Sequence, residues 1–343
     1  MTTRVRESTD STDTGRQRRR PPLTTARLVE ILYRYGLLIV WALIAALFSA
    51  IEPSTFATVG NVKTILGTQS VALTLSLGLM LPLVVGQFDL SFAATMGTSA
   101  TLLAVLNAYH HWPILPCVIL AILVGPVVGF INGVLVERFE VNAFIATLGV
   151  GTVVTGIGYA LSNYAVVPGI SQSLISAVST NVAGIPLSFY YAIAFAIIIW
   201  YFFRYTPTGR RMLFAGDGSE VARLSGIPVR RLRMGAFVVS GLLGAIGGVL
   251  LAGTFGSADP TSSSQYLLPA FAACFLGSTA ISPGEFNAGG TVIAVFFLIT
   301  GVTGLELLGL QDWIQQVFYG AALILAVTLS SFASRRRVTT QST

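Results

Sequence analysis

Ten long apolar segments constrain the fold of this 343-residue chain more than any other feature. A helix needs about 20 residues to cross ~30 Å of hydrocarbon, and each segment reaches or approaches that length. Only 10% of the residues are charged, whereas soluble domains carry roughly 25%. We therefore predict an all-α, polytopic membrane protein with about ten transmembrane helices. The segments are 35–51, 65–86, 90–108, 112–136, 141–162, 184–203, 234–254, 265–282, 286–305 and 313–333.

The basic residues predict the orientation of these helices. With the N-terminus in the cytosol, every lysine and arginine except Lys63 falls in a cytosolic part, as the positive-inside rule requires. An even number of spans also returns the C-terminal arginines to the cytosol. We predict a multi-pass membrane protein with both termini in the cytosol. The cytosolic parts are then 1–34, the turn near 87–89, the loop 137–140, the loop 204–233, the turn near 283–285 and the tail from 334.

The same patterning predicts the domain organisation. Residues 1–34 are polar and basic and are predicted to form a disordered cytosolic tail. Residues 35–333 form one transmembrane domain, and 334–343 form a second cytosolic tail. The net charge of +6 does not indicate nucleic-acid binding, because the arginines flank apolar segments. Cys117 and Cys274 lie inside apolar runs and are predicted to be buried thiols.

The longest polar interruption of the chain is the stretch 208–233. Its middle predicts a short helix, with Asp217 or Ser219 as the cap and Glu220 in the first turn. Gly226 offers a left-handed stop, and Pro228 prevents continuation. Two interpretations remain open from the residues alone. The helix docks a soluble partner, or the stretch is a connecting loop whose arginines only set the topology.

The chain contains no catalytic or nucleotide-binding motif. His110 and His111 are adjacent and form no H-E-x-x-H pair, and no G-x-S-x-G motif has a base nearby. A Walker A loop needs Gly-Lys-Ser/Thr, but the sole lysine lies in Val62-Lys63-Thr64. We therefore predict that the chain is not an enzyme and holds no cofactor or metal.

Asp89 is the main ionisable residue near the predicted membrane interior. It follows the second segment in G-Q-F-D-L-S, at 86–91. Intramembrane carboxylates are expensive and usually functional, so Asp89 is a candidate ion carrier. The glycine-containing break also suits a discontinuous helix that lines a path. The alternative is that Asp89 caps the third helix at the surface.

Uncharged polar residues on two segments suit a path for a sugar-like solute. Each hydroxyl or amide has an alternative role in hydrogen bonding between helices. These candidates are Gln69, Ser70, Thr74 and Ser76 on the second segment, and Asn142, Thr147, Thr152 and Thr155 on the fifth.

Three motifs together resemble one family. G-Q-F-D-L-S (86–91) resembles the G-G-I-D-L-S that follows the second span in permeases of ribose-type ABC importers. V-N-A-F-I-A-T-L-G (141–149) is similar to their P-x-F-I-A-T-L-G. The stretch 209–229 resembles their cytosolic coupling loop with its A-x-x-x-G-I core. The resemblance covers residues 35 to about 333, and the third motif is the most specific.

The resemblance implies a ten-helix permease that pairs with a second permease subunit, identical or different. It also implies a cytosolic ABC ATPase that binds the ATP, and an external solute-binding protein. Two departures fall near the predicted translocation core: Gln87-Phe88 replaces Gly-Ile, and 276–287 replaces a glycine-rich motif. They bear on the substrate, and the architecture is unaffected. Carried over by position, the coupling helix would comprise Ser219, Glu220, Ala222, Arg223, Leu224, Ser225 and Gly226.

We predict the membrane subunit of an ATP-driven importer for a sugar or similar polar solute. The alternatives are a related permease for nucleosides, amino acids or furanone-type signals, an ion-coupled secondary transporter using Asp89, and a membrane scaffold that transports nothing. The predicted translocation path comprises Gln69, Thr74, Gln87, Asp89, Asn142 and Thr147.

Overall fold

The computed structural model describes residues 23–341, and the side chains of residues 34–328. The first 22 and the last two residues lie outside the described part. The helices are α1 Leu23–Ile51, α2 Val59–Thr68, α3 Ser70–Val84, α4 Ser91–Ala104, α5 Ile114–Glu137, α6 Ala143–Ser162, α7 Gln172–Ser179, α8 Leu187–Tyr205, α9 Pro207–Asp217, α10 Ser219–Leu224, α11 Val229–Phe255, α12 Ser264–Gly277, α13 Ala288–Leu307 and α14 Trp313–Gln341. A π-helical turn, Val105–Tyr109, extends α4.

Two small antiparallel strand pairs complete the described structure. β1 (Val167–Pro168) pairs with β4 (Ser257–Ala258), and β2 (Asn181–Val182) pairs with β3 (Ile185–Pro186). The predicted all-α class is confirmed, because helices form all the main elements. α1 and α14 extend into the segments predicted as tails, and the rest of those tails lies outside the described residues.

Each of the ten predicted segments contains a helix, although not every helix is long enough to span a membrane. Within the described residues, seven helices are long and apolar enough, and the bent pair α2–α3 makes an eighth if it is one span. That pair bends by 42° at Gln69. α12 has only 14 residues, because the chain leaves the helix at Gly277 and turns through Gly284, which has a φ of 88°.

The described connections gather at two ends of the bundle. At one end, Arg233 contacts Val85 and Glu137, and the Ile281 amide donates to the Arg34 carbonyl. Between residues 34 and 328, every arginine except Arg34 lies in the connections at this end or in the helix turns beside them, and Arg34 lies within α1 beside Ile281. We call this the arginine end. At the other end β1 meets β4 and Lys63 lies against Gly184. We call it the lysine end.

α11 forms the centre of the bundle and packs against α3, α4 and α5. Its glycines allow the backbones to approach closely, because a Cβ at Gly241 would overlap the carbonyl oxygen of Gly125 on α5. Small residues on α11 therefore allow close contact between helix backbones. Their partners on α5, Gly125 and Gly129, were not singled out from the sequence.

Several helix boundaries of the two halves repeat at an interval of 170 residues, although the starts of α4 and α12, Ser91 and Ser264, are 173 apart (264 − 91). α11 begins at Val229, 170 residues after α2 begins at Val59 (229 − 59). The same interval separates the starts of α6 and α14, Ala143 and Trp313, and it also separates the ends of α5 and α13. The packing repeats too: α4 packs on α5 and α6, and α12 packs on α13 and α14.

The two repeats run in opposite directions. α3 ends at the arginine end, whereas α11 begins there and ends at the lysine end, where Gly256 meets Ile175 and β4 pairs with β1. The structure therefore contains an inverted-topology repeat, a device that places equivalent elements at opposite faces of a membrane protein. Residues at equivalent positions, 170 apart, are identical at Ser70 and Ser240, Gly78 and Gly248, Gly86 and Gly256, and Asp89 and Asp259.

Candidate functional site

The predicted coupling helix exists as α10, Ser219–Leu224. Gly226 has a φ of 79° and ends it, as expected from the sequence. The predicted cap is wrong: neither Asp217 nor Ser219 caps α10, because Gly218 occupies the N-cap position and has no side chain to donate or accept. Ser225 and Gly226 follow the last helical residue. Glu220 and Arg223 pair at 2.8 Å on the exposed surface.

α10 has one buried side and one exposed side. Ala222 is fully buried against the bundle, whereas Val221 and Leu224 are 59% and 79% exposed. Apolar side chains this exposed outside the spanning helices are typical of a surface that a partner covers. α10 therefore presents an apolar pair at the arginine end.

A second helix, α9, precedes α10 and was not predicted from the sequence. Thr206 caps it by accepting a hydrogen bond from the Gly209 amide at 3.0 Å, and Pro207 is its first residue. Near its end, Gly216 lies so close to α3 that a Cβ there would overlap the Val84 carbonyl oxygen. α9 therefore rests directly on the C-terminal end of α3.

Arg233, in the first turns of α11, also holds this end of α3. Its Nε donates to the Val85 carbonyl oxygen at 3.3 Å, and its Nη1 lies 3.7 Å from the Glu137 carboxylate at the end of α5. α10 thus lies between α9, which contacts Val84, and α11, which contacts Val85. The sequence analysis had counted Arg233 only as an orientation signal.

The turn 86–91, which we call the first turn, follows directly. Gly86 has a φ of 74°, which favours glycine, and Asp89 is 1% exposed. Asp89 Oδ1 accepts hydrogen bonds from the Ser91 amide at 2.9 Å and from Ser91 Oγ at 2.7 Å. Asp89 Oδ2 accepts from Ser240 Oγ of α11 at 2.7 Å. Asp89 therefore orders the start of α4 and joins it to α11.

Asp89 is a buried residue and does not lie at the surface. Burial raises the pKa of its carboxyl above the usual value, and the hydrogen bonds from Ser91 and Ser240 oppose that rise. Among the described side chains, no cation pairs with it. The hydrogen bonds from Ser91 and Ser240 are those of a carboxylate with a structural role, and they do not favour the interpretation of Asp89 as an ion carrier.

Two further residues extend the network around the first turn. Asn132 of α5 donates from Nδ2 to Ser91 Oγ at 2.7 Å, and Thr147 Oγ1 of α6 accepts from the Leu90 amide at 3.0 Å. Within the described residues, Asn132 Oδ1 is the one buried side-chain polar atom without a hydrogen-bond partner. Asn132 and Ser240 were missed from the sequence, because each is a single polar residue in an apolar helix with no motif around it.

The predicted path residues do not converge on one point. Gln69 lies at the break between α2 and α3, near the lysine end. Thr74 is buried and donates to the Ser70 carbonyl of its own helix at 2.8 Å. Asn142 caps α6 by accepting from the Phe144 amide at 2.9 Å. Thr147 and Asp89 belong to the network of the first turn.

Some predicted coupling and path residues do share one cavity at the arginine end. The cavity has a volume of about 690 Å³ and lies between α10, the first turn and the start of α6. Gln87 and Asn142 line it together with Ser219, Glu220 and Arg223. Glu137 and Arg233 line the same cavity.

In the described residues, no cluster of three or more His, Cys, Asp or Glu side chains could hold a metal ion. Both cysteines are free and buried, as predicted. The prediction that a partner subunit binds the ATP stays a prediction.

Comparisons with known proteins agree with this architecture. Residues 61–327 match the family described as branched-chain amino acid transport system / permease component. The chain is 29% identical to the D-allose transport system permease protein of Escherichia coli (strain K12) over 302 residues, which is 88% of this chain and 93% of that protein. It is 27% identical to the L-arabinose ABC transporter permease protein of Azospirillum brasilense, over 90% of each chain.

A third relative is the ribose import permease protein of Haemophilus influenzae (strain ATCC 51907 / DSM 11121 / KW20 / Rd). It is 28% identical, over 86% of this chain and 92% of the relative. No solved structure matches the chain significantly. The family match covers most of the described bundle, including the first turn, α9, α10 and both repeats. The chain belongs to this family of transport-system permease components: it is a multi-pass membrane transport subunit and not an enzyme.

Proposed function

We propose that this chain forms the translocation path of an ATP-driven importer for a sugar, and that α10 docks on a cytosolic ABC ATPase. The observation that carries the coupling part is the exposed apolar pair of α10, Val221 and Leu224, beside the cavity of the arginine end. The relatives named for D-allose, L-arabinose and ribose favour a sugar.

The arginines supply the orientation in this proposal. Because cytosolic connections carry the excess of basic residues, the arginine end faces the cytosol and both termini lie inside. The lysine end, with α7 and both strand pairs, then faces the external solute-binding protein. A second permease subunit, identical or different, completes the path.

The described interior suits an uncharged solute. Asp89 and Glu137 are its buried ionisable side chains, and both lie at the arginine end with polar partners. The remaining buried polar groups are hydroxyls and the amide of Asn132. A solute with several hydroxyl groups matches such groups without requiring a counter-charge.

Coupling would run from α10 to the first turn. ATP-driven movement of the partner pushes α10, which carries α9 and the start of α11 with it. Gly216 and Arg233 transmit that movement to residues 84 and 85 of α3. Rigid packed elements transmit displacement in this way because interiors are close-packed.

The test is uptake by the complete transporter in proteoliposomes, with radiolabelled D-allose, L-arabinose, D-ribose and L-leucine. We expect ATP-dependent uptake of at least one sugar and none of leucine. Uptake that needs an ion gradient and persists without ATP would overturn the proposal.

The docking surface is tested with a matched pair of variants. Val221→Asp puts a charge on the exposed side of α10, and Val182→Asp does the same at the lysine end, where Val182 is 48% exposed. We expect Val221→Asp to lower transport-coupled ATP hydrolysis about tenfold or more, because a charge in a docked apolar surface is unpaired. Because Val182 lies at the end that faces the solute-binding protein, the control is read on the amount of ATPase that copurifies. Val221→Asp should lower that amount and Val182→Asp should leave it unchanged, and equal effects of both variants would contradict the docking assignment.

A further inference from the structure

Two turns at opposite ends of the bundle share a positive-φ glycine and an aspartate that accepts from the residue two positions later, although Ser91 begins α4 whereas residues 257–258 form β4. In the first turn, Gly86 has a φ of 74° and Asp89 accepts from the Ser91 amide at 2.9 Å and from Ser91 Oγ at 2.7 Å. In the turn 256–261, which we call the second turn, Gly256 has a φ of 64°. Asp259 there accepts from the Thr261 amide at 2.8 Å and from Thr261 Oγ1 at 2.7 Å.

The inverted repeat makes these turns equivalent. Gly256, Asp259 and Thr261 each follow Gly86, Asp89 and Ser91 by the repeat interval of 170 residues (259 − 89). The first turn connects α3 to α4, and the second connects α11 to α12. Both turns place a glycine, an aspartate and a hydroxyl residue at equivalent positions, and the aspartate accepts the same two hydrogen bonds in each. The two turns are therefore equivalent parts of the repeat.

The same interval predicts a second hydrogen bond that the structure lacks. Asp89 is joined to Ser240 of α11, and the equivalent of Ser240 is Ser70 of α3 (240 − 70). The counterpart of the Asp89–Ser240 bond is therefore a bond between Asp259 and Ser70. Among the described hydrogen bonds, Ser70 Oγ instead donates to the Gly67 carbonyl at 3.1 Å, and Asp259 is half-buried.

We propose that these pairs are alternating latches of transport. The first latch is the Asp89–Ser240 hydrogen bond, and the second latch is the bond from Ser70 to Asp259. The first latch is closed and the second is open in this structure, and the transport cycle exchanges them. The inference rests on the proposed function, because import requires the two ends of the path to open in turn. Ser70, Ser240, Asp89 and Asp259 are positioning residues in this assignment.

The packing of α3 against α11 explains why the latches alternate. Ser70 lies near the start of α3, and Ser240 lies in the first half of α11. The two helices cross with little free space: a Cβ at Gly78 would lie 2.9 Å from Leu243 Cβ, and one at Gly247 would lie 3.2 Å from Leu75 Cδ2. Because the crossing is tight, the helices rock about it more readily than they separate. A rocking that withdraws Ser240 from Asp89 moves the opposite ends of both helices as well.

The experiment measures hydrogen–deuterium exchange of the two turns in the complete transporter in lipid nanodiscs. Ser240→Ala removes the first latch. It should shift the equilibrium about tenfold towards the state in which the first latch is open and the second is closed, as expected for loss of a hydrogen bond to a charged group. We expect faster exchange in 86–91 and slower exchange in 256–261. Ser70→Ala should give the opposite pair of changes, and the double variant should return towards the wild type.

The remote response separates a latch from local support. A hydroxyl that only supports its own turn would change exchange nearby and leave the opposite end of the bundle unaltered. Ser162→Ala is the matched control, because Ser162 is a buried serine of α6 that donates to the Gly158 carbonyl of its own helix. Ser240→Thr keeps a hydroxyl and should behave as the wild type.

Two outcomes overturn the proposal: exchange changes confined to the end that carries the substitution, or changes of the same sign for Ser240→Ala and Ser70→Ala. ATP-dependent sugar uptake by the wild-type complex is measured on the same preparation. Failure of uptake would contradict the proposed function, whereas intact uptake with local-only exchange changes would contradict the latches alone.

Discussion

The first and second turns share a sequence pattern but differ in how firmly each is held. Both contain a positive-φ glycine and an aspartate that accepts from a hydroxyl residue two positions later. Asp89 is buried and also bonded to Ser240, whereas Asp259 is half-buried. Equivalent local sequence therefore does not produce equivalent stability, because the neighbouring helices supply the difference.

The residues around the two turns also differ at equivalent positions. The Leu90 amide donates to Thr147 Oγ1, but Pro260 stands at the equivalent position and has no amide hydrogen. Val317 likewise occupies the position equivalent to Thr147 and has no hydroxyl. Donor and acceptor are thus both missing at the lysine end, so no polar group is left unsatisfied there. The first turn therefore has a hydrogen bond to α6 whose counterpart the second turn cannot form to α14.

The turn with more hydrogen bonds lies at the same end as the proposed contact with the ATPase. α9 and α10 lie at the arginine end, and α9 contacts α3 through Gly216. If ATP hydrolysis drives the transport cycle, the force acts beside the first turn, where the Asp89–Ser240 and Leu90–Thr147 hydrogen bonds must break. The second turn is held instead by β1, which pairs with residues 257–258, and by Ile175 of α7 beside Gly256.

The two turns should differ most in the stability that is lost when their aspartates, Asp89 and Asp259, are replaced. Asp89→Leu leaves the Ser91 amide and the hydroxyls of Ser91 and Ser240 without their acceptor. It should destabilise the protein by about 3 kcal/mol, since three buried donors lose a carboxylate acceptor. Asp259→Leu should cost about 1 kcal/mol or less, because Asp259 is half-buried and solvent replaces part of its bonding.

Thermal unfolding of both variants in the same detergent checks this difference. The variants are matched in chemistry, so a general effect of losing a carboxylate cancels. Equal losses at the two sites would show that the first turn is no better held than the second.

How much of this comparison could be predicted from the sequence depends on the length scale. Apolar segments located the helices because hydrophobic runs of spanning length have few alternatives. The break at Gln69 was not predicted. The shortness of α12 was not predicted either, because the apolar run continues to 282 and Pro269 does not mark where the helix ends. α9 was missed because it is mostly polar and lies between a spanning helix and α10.

The inverted repeat was also hidden in the sequence. A four-residue similarity between 86–89 and 284–287 is visible, but those turns lie at the same end and have a different interval. The true repeat preserves few residues, since packing in lipid requires small and apolar side chains and seldom specific ones. Asp89 was identified, but its partner Ser240 is distant in sequence and needed the three-dimensional structure.

An intermediate effect is expected from crowding the contact between α9 and α3. Gly216→Ala places a methyl group against the Val84 carbonyl oxygen and must displace one of the two helices. Gly218→Ala is the control two residues on, where a Cβ would meet Val221 at an ordinary 3.8 Å. Because α9 transmits the movement of α10, we expect Gly216→Ala to reduce sugar-stimulated ATP hydrolysis about tenfold, an energy of about 1.4 kcal/mol.

Gly218→Ala should retain most of that activity. The measurement is ATP hydrolysis by the assembled transporter with and without substrate, together with the amount of ATPase that copurifies. Loss of the copurifying ATPase in Gly216→Ala would indicate lost docking. Retained ATPase with lost stimulation would locate the defect at the contact between α9 and α3, and unchanged stimulation would remove α9 from the coupling route.

The smallest effect concerns the bond that only the first turn has. Thr147→Val is nearly isosteric and removes the acceptor of the Leu90 amide, so it converts the first turn towards the second, where Pro260 and Val317 form no such bond. We expect a loss of about 1 kcal/mol in thermal stability, because one buried backbone donor loses its partner. Thr147→Ser keeps the hydroxyl and should recover most of it. Exchange of the Leu90 amide should rise in Thr147→Val and stay low in Thr147→Ser. If both variants matched the wild type, the firmness of the first turn would rest on Asp89 and Ser240 alone, and the absence of a similar bond at Pro260 would have no bearing on which end opens first.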